Sequence, residues 1–398
     1  MIVEGKQGQI LINSQSGLIE QVGMNLGPAD LKTDGLIFPG FIDLHVHSRV
    51  DVSGKESRKE DLSTVSAAAI HGGVTYFVDM PNNPMPPVDD VSYAAKKALF
   101  TRSPVDFTLY AGIGSETKPL PQKVPYKVYM GRSVGELFFE SLTQLEGTIK
   151  NYSGQFVSFH CEDPEILKAH ENEKTHEARR PREAEIKAIA LALELIKKFN
   201  LQGKICHVST KEGLELIRQA KKNGVNVTAE VTPHHLYFDE NMLNDSNRKF
   251  LQVNPPLRTK DDRLALIAGL KSGDIDYLAS DHAPHTVEEK QKGISGVPHL
   301  DTYGPFITWL MREHNFTAED IARVCAENPG KFMNNFWTAK LGKIEPGYQG
   351  SLTVIEPDNA IMIRKNDLKT KCAWSPFEGV TFPGRVTHTI IAGKVYQV

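Results

Sequence analysis

His45 and His47 stand two residues apart in the run FPGFIDLHVHSRV, residues 38–50. The run reads as a short buried strand after a Pro-Gly turn, and side chains two apart on a strand share a face. Both imidazoles therefore project together, with Arg49 next on that side. Imidazole is the commonest metal ligand near neutral pH, so the pair can hold one ion from a rigid strand. Two separately hydrogen-bonded histidines is the plainer alternative. Further candidates follow in order: Lys127 in YKVYMG, His160 in VSFHCED, His207 in KICHVST and Asp281 in YLASDHAPH. Each lies at or just beyond the C-terminal end of a strand-like segment: residues 125–130, 155–160, 204–208 and 275–280. Each alone has an ordinary reading: a salt-bridged lysine, a core histidine, half of a Cys/His pair, a helix cap. No CxxC pair completes a zinc site at Cys206. Together they read as the donors of a metal site.

The elements that must position these donors alternate apolar strands with helical patterns. LSTVSAAAIHGG, EAEIKAIALALELIKKFN, KEGLELIRQAKKNG and DDRLALIAGLKSG are the helical stretches. Alternating βα units indicate a parallel α/β fold. In a (β/α)8 TIM barrel the C-terminal strand ends converge on one mouth, where chemistry sits. The GG and NG endings fit left-handed helix caps. Residues 1–36 and 345–398 instead carry short alternating strands broken by Gly and Pro. Neither end closes a core alone, and together they can form one small β-sandwich, leaving 37–344 for the barrel. The polar stretch 168–185 reads as a surface loop or helix start, with His170 and His176 solvated.

The chain has 398 residues and a net charge of −3, enough for a barrel with a minor domain. No basic face is implied, so nucleic acid is not an expected partner. No apolar run approaches the length of a membrane span. The beginning, MIVEGKQGQI, lacks a signal-peptide pattern. The four cysteines, Cys161, Cys206, Cys325 and Cys372, are scattered. They read as free thiols of a cytoplasmic protein.

HVHSR, DMPNNP, YKVYM, FHCED, ICHVSTKEG, EVTPHHL, VNPPLR and SDHAPHTVEEK occur in that order. They resemble the motifs of the dihydroorotases of class I type, within the cyclic amidohydrolase superfamily, from about Gly35 to Val398. HxHxR with SDHAPHTVEEK points to the dihydroorotase branch, whereas HxH alone marks the superfamily. The resemblance implies a TIM barrel with a β-sandwich built from both termini. It implies that His45, His47 and Asp281 hold one zinc ion and His160 and His207 a second. Lys127, carboxylated by CO2, would bridge the two. Paired ions generate a hydroxide at neutral pH and polarise a carbonyl. Asp281 would carry the proton from that hydroxide to the leaving nitrogen, as general base and then acid.

Arg49, Asn82 and His285 match the family positions that bind the substrate carboxylate, and Asn254 the position that meets the ring. Arg49 suits a carboxylate because its fork makes two parallel hydrogen bonds. Read as residues alone, Arg49 also fits a surface ion pair, Asn82 an Asx turn and Asn254 a turn before Pro255. Residues 131–135 and 293–296 read as Gly-flanked loops at the mouth. The implied reaction is the reversible cyclisation of N-carbamoyl-L-aspartate to L-dihydroorotate in pyrimidine synthesis. The resemblance allows a homodimer and a complex with aspartate transcarbamoylase as partners. The pattern departs from the family after Arg49: HSRVDVSGKESRKED lacks the usual EPG and lengthens the loop to Lys59-Glu60-Asp61 by about three residues. Competing readings are a hydantoinase, dihydropyrimidinase or allantoinase on the same scaffold, and a non-catalytic scaffold for the transcarbamoylase.

Overall fold

Short apolar runs in the middle of the chain become parallel strands with almost every residue buried. A computed structural model describes residues 1–398. The strands are β1 (Phe41–Val46), β2 (Val74–Asp79), β3 (Asp106–Leu109, resuming after Tyr110 as Ala111–Ile113), β4 (Tyr126–Tyr129), β5 (Phe156–His160), β6 (Gln202–Ile205), β7 (Val227–Val231) and β8 (Tyr277–Leu278). Each pairs in parallel with the next in chain order. The ring closes where Val46 bridges His282 and the His47 amide donates to the His282 carbonyl at 2.7 Å. A sheet closed in this way has no free edge.

Helices return the chain between strands: α1 (Leu62–His71), α2 (Asp90–Ala98), α3 (Leu142–Ile149), α4 (Arg182–Lys198), α5 (Lys211–Lys222), α6 (Lys260–Ser272) and α7 (Tyr303–His314). The connection from β3 to β4, residues 114–125, contains no helix, so this (β/α)8 barrel lacks one helix of the full set. Local chemistry sets the helix ends. Asp61 and Thr64 form a capping box at the start of α1, and Thr259 and Asp262 do so at α6. Gly224 and Gly273, at φ 74° and 88°, end α5 and α6 in the left-handed region that favours glycine. The helices and the outer strand faces pack a core of 68 buried residues.

Both termini build the second layer. One sheet has the order Ile19–Gly23, Gly8–Ile12, Ile2–Gly5, Leu31–Lys32. The other has the order Lys394–Gln397, Arg385–Ile391, Leu352–Glu356, Leu36–Pro39. Val3, Ile10, Ile12 and Ile19 from the first pack against Leu352, Val354 and Ile390 from the second. This is a small sandwich that neither end can form alone. The C-terminal segment also reaches the barrel mouth. The Thr370 hydroxyl and the Lys371 amide donate to Glu60, Glu60 meets His282 Nε2 at 3.2 Å, and the Trp374 indole donates to the His285 carbonyl at 2.7 Å.

The stretch 168–185 departs from the sequence expectation. His170 is half-buried, but His176 is buried, its Nε2 facing the Val253 carbonyl at 2.9 Å. Burial pushes its imidazole down to about 4. The polar sequence hid this because one turn, His176–Arg179, folds inward while its neighbours face solvent.

Candidate metal centre and active site

β1 delivers the first two imidazoles, and each has one nitrogen fixed. The His45 Nδ1–H donates to the Glu230 carboxylate on β7, which is also paired with Lys204 on β6. The His47 Nδ1–H donates to Asn82 Oδ1 at 2.8 Å. That leaves Nε2 of each ring as a lone pair. Both point at Asp281 Oδ1, at 3.2 Å from His45 and 3.1 Å from His47. Fixing one ring nitrogen as donor is how proteins aim the other at a metal. The ligand atoms of His45, His47 and Asp281 lie within 4.8 Å of one another. A second set of His45, Cys206 and Glu230 is equally close. There, however, the Glu230 carboxylate is already held by a histidine and a lysine, so the first set fits an ion better.

β5 and the turn after β6 bring a second imidazole pair. His160 Nε2–H donates to Glu162 at 2.9 Å, and Glu162 also binds Arg180. His160 Nδ1 then faces His207 Nε2 at 2.9 Å. The His45 and His207 rings are 5.3 Å apart, so the two sets form one cluster. Lys127 on β4 is fully buried, and its Nζ meets Cys206 Sγ at 2.8 Å. It makes no ion pair with any carboxylate, so the reading as a salt-bridged lysine does not hold.

Burial drives His45, His47 and His207 far below the ordinary histidine range, and it lowers His160 as well. Neutral imidazole is the form that binds metal. Burial raises the Asp281 carboxyl to about 7; a bound cation would draw it down again. Arg49, His207 and Asp281 all adopt left-handed backbone, at φ 60°, 34° and 47°. Non-glycine residues accept such conformations at a cost, and they cluster where side chains must be aimed.

A cavity opens onto the cluster. His45, His47, His160, His207 and Asp281 line it, together with Arg49, Asn82 and Asn254. Arg49 is buried, so a surface ion pair is excluded; it donates to the Pro284 carbonyl at 3.2 Å and to His285 Nε2 at 3.0 Å. His285 is therefore an acceptor here, with its Nδ1–H held by Glu289 at 3.1 Å. Burial and the Arg49 charge push it down to about 3. The Asn82 amide donates to the Val134 carbonyl at 3.1 Å. Asn254 Oδ1 is buried without a partner. Ser133, Val134, Ser295 and Gly296 from the two Gly-flanked loops join the lining, with Tyr129 and Ala283. The lengthened loop after Arg49 is a tight turn around Asp51, whose carboxylate accepts from Ser53 and Gly54. It brings Glu56 to 3.9 Å from Arg49.

Sequence reasoning passed over Glu230, Lys204, Asp43 and Tyr129, and saw in Glu162 only a neighbour of His160. Their common signal is a charged or polar side chain inside an apolar strand. Asp43, for example, lies on β1 and accepts from the Ser280 and His45 amides.

The chain matches the amidohydrolase family over residues 36–396. It is 34% identical over 394 residues to a dihydroorotase of Pyrococcus furiosus, spanning 96% of this chain and 88% of that one. It is 36% identical over 371 residues to a dihydroorotase of Thermococcus kodakarensis, spanning 90% and 83%. Among solved structures, an L-hydantoinase from Arthrobacter aurescens superposes with a TM-score of 0.88 at 24% identity, over 99% of this chain and 96% of that one. This likeness establishes the barrel fold. The chain belongs to the amidohydrolase family of metal-dependent hydrolases, in the branch of its dihydroorotase relatives.

Proposed function

We propose that the protein is a dihydroorotase, reversibly cyclising N-carbamoyl-L-aspartate to L-dihydroorotate in pyrimidine synthesis. The observation that carries the reading is a buried arginine lining the same cavity as the His45–His47–Asp281 set. A hydantoin or dihydropyrimidine offers that guanidinium no carboxylate, whereas dihydroorotate does. The relatives named above support the same assignment.

In this reading His45, His47 and Asp281 would hold one zinc ion, and His160 and His207 another. Lys127, as a carbamate, would contribute a ligand to both. The lysine's complete burial with no counter-ion supports this, because an isolated buried ammonium is costly. When bound, the metal supplies an activated water at neutral pH and polarises the ring carbonyl. Asp281 would accept a proton at its carboxylate and deliver it to the departing ring nitrogen. Arg49 holds the substrate carboxylate, with Asn82 and His285 beside it, and Asn254 Oδ1 accepts from a ring N–H. Glu230 and Glu162 keep His45 and His160 in the tautomers that ligation needs.

The same reading divides the chain into a barrel, 37–344, and a terminal sandwich, 1–36 with 345–398. It places the protein in the cytoplasm, consistent with four free cysteines. No helix is long and apolar enough to cross a membrane. A homodimer and a transcarbamoylase complex remain proposals that the family resemblance supports.

The test is ring opening of L-dihydroorotate by zinc-supplemented protein, followed by ultraviolet absorbance, beside Lys127→Ala. Turnover that collapses in the variant is the expected result. Turnover of hydantoins but not dihydroorotate would move the protein to the sister enzymes. No turnover of any cyclic amide would favour the scaffold reading.

A further inference from the structure

The cavity must satisfy a carboxylate, and its donors can be counted. An ionised carboxylate offers about four acceptor positions. One of the two Asn82 amide N–H groups is committed to the Val134 carbonyl, and His285 Nε2 accepts from Arg49 rather than donating. Two of the five guanidinium N–H groups of Arg49 are used on Pro284 and His285. The hydroxyls of Ser133 and Ser295 accept from Asn254 and Gln252 and keep their own O–H to donate, so each has at least one partner. Tyr129 is different. It is 3% exposed and lines the cavity, and its hydroxyl is buried with no partner of any kind. A buried phenol normally finds a hydrogen-bond partner.

Tyr129 is also well placed. It follows Lys127 by two residues on β4, so both side chains leave the same face of the strand. Its ring centre lies 5.6 Å from that of His160. Tyr129, Arg49 and Asp281 line the same cavity, so a ligand held there can meet all three.

We infer that Tyr129 is a specificity-determining residue whose phenol donates a hydrogen bond to the substrate carboxylate held by Arg49. The inference rests on the proposed function, because it requires an acidic ring as substrate. It gives the enzyme a second means of preferring a carboxylated ring over a neutral one. A hydrogen bond to a charged group typically changes affinity by about tenfold or more.

The experiment is Tyr129→Phe in the zinc-loaded enzyme, with two ligands. One is dihydroorotate, followed by turnover. The other is orotamide, the neutral carboxamide of the planar ring, followed as a competitive inhibitor. The inference expects KM for dihydroorotate to rise about tenfold while kcat stays within about threefold. It expects the inhibition constant of orotamide and the zinc content to stay unchanged. The melting temperature should hold or rise, since only an unpartnered hydroxyl is lost. An equal loss for both ligands, a fall in kcat alone, or no change in KM would each overturn it. Wild-type protein that turns over no dihydroorotate would instead overturn the proposed function, before the variant is made.

Discussion

At the residue scale, the site depends on the groups that hold its ligands as much as on the ligands. Glu230 fixes His45 and is itself charge-paired with buried Lys204. Replacing such a partner typically weakens metal binding about 10- to 100-fold. Glu230→Gln is therefore expected to lose zinc to a chelator at concentrations that leave the wild type loaded. Equal retention in a competition titration would remove Glu230 from this role. The six proposed ligands were readable in the sequence because each lies in or just after a strand-like run. Glu230 was not, because its position beside His45 depends on barrel closure, which brings β7 within one strand of β1.

At the element scale, close approach of α1 to the turn before α7 sets how tightly the barrel closes behind the site. A Cβ on Gly72 would lie 1.8 Å from the Leu300 carbonyl oxygen, a backbone atom that cannot step aside. Gly72→Ala is expected to cost about 1–3 kcal/mol, typical of overpacking. A urea midpoint unchanged from wild type would contradict this. The short helix Val287–Gln291 carries Glu289, whose carboxyl is held down at about 2. Burial raises it, but the His285 hydrogen bond and the Lys59 charge outweigh burial. A carboxyl depressed in the folded state stabilises the fold above its ordinary value near 4.5. That contribution disappears as pH falls from there toward 2. Glu289→Gln should therefore be less stable than wild type at pH 7, and the gap should close through this window. A gap independent of pH, measured by denaturant titration at several pH values, would refute it.

At the scale of the whole molecule, the 68-residue core involves none of the proposed ligands. The barrel is therefore expected to remain folded without metal. Ligands that bind only the native state still add stability, about 2.7 kcal/mol at a hundred times the dissociation constant. Stripping with a chelator should lower the melting temperature by several degrees and leave the far-ultraviolet spectrum intact, with zinc restoring the loss. Collapse of the helical signal on chelation would show that the metal is structural. Closure of the mouth is also a whole-molecule property. Thr370 and Trp374, far along the chain, are tied to Glu60 and to His285 on the barrel rim.

The sequence by itself determined the kind of fold and the identity of the chemistry. Period-two pairs, helical stretches and strand-end donors are local patterns, and local patterns survive in a one-dimensional reading. The ordered motifs added the family, because residue types at matched positions need no coordinates. Only the tertiary structure decided which nitrogen of each imidazole is hydrogen-bonded and which is left free to ligate, and that Arg49 is buried rather than on the surface. It alone showed that His285 accepts from Arg49, that His176 turns inward and that Tyr129 is left without a partner. Those properties depend on partners hundreds of residues away, such as Pro284 for Arg49 and Glu230 for His45. Strand closure and burial bring them together, and no spacing in the chain records it.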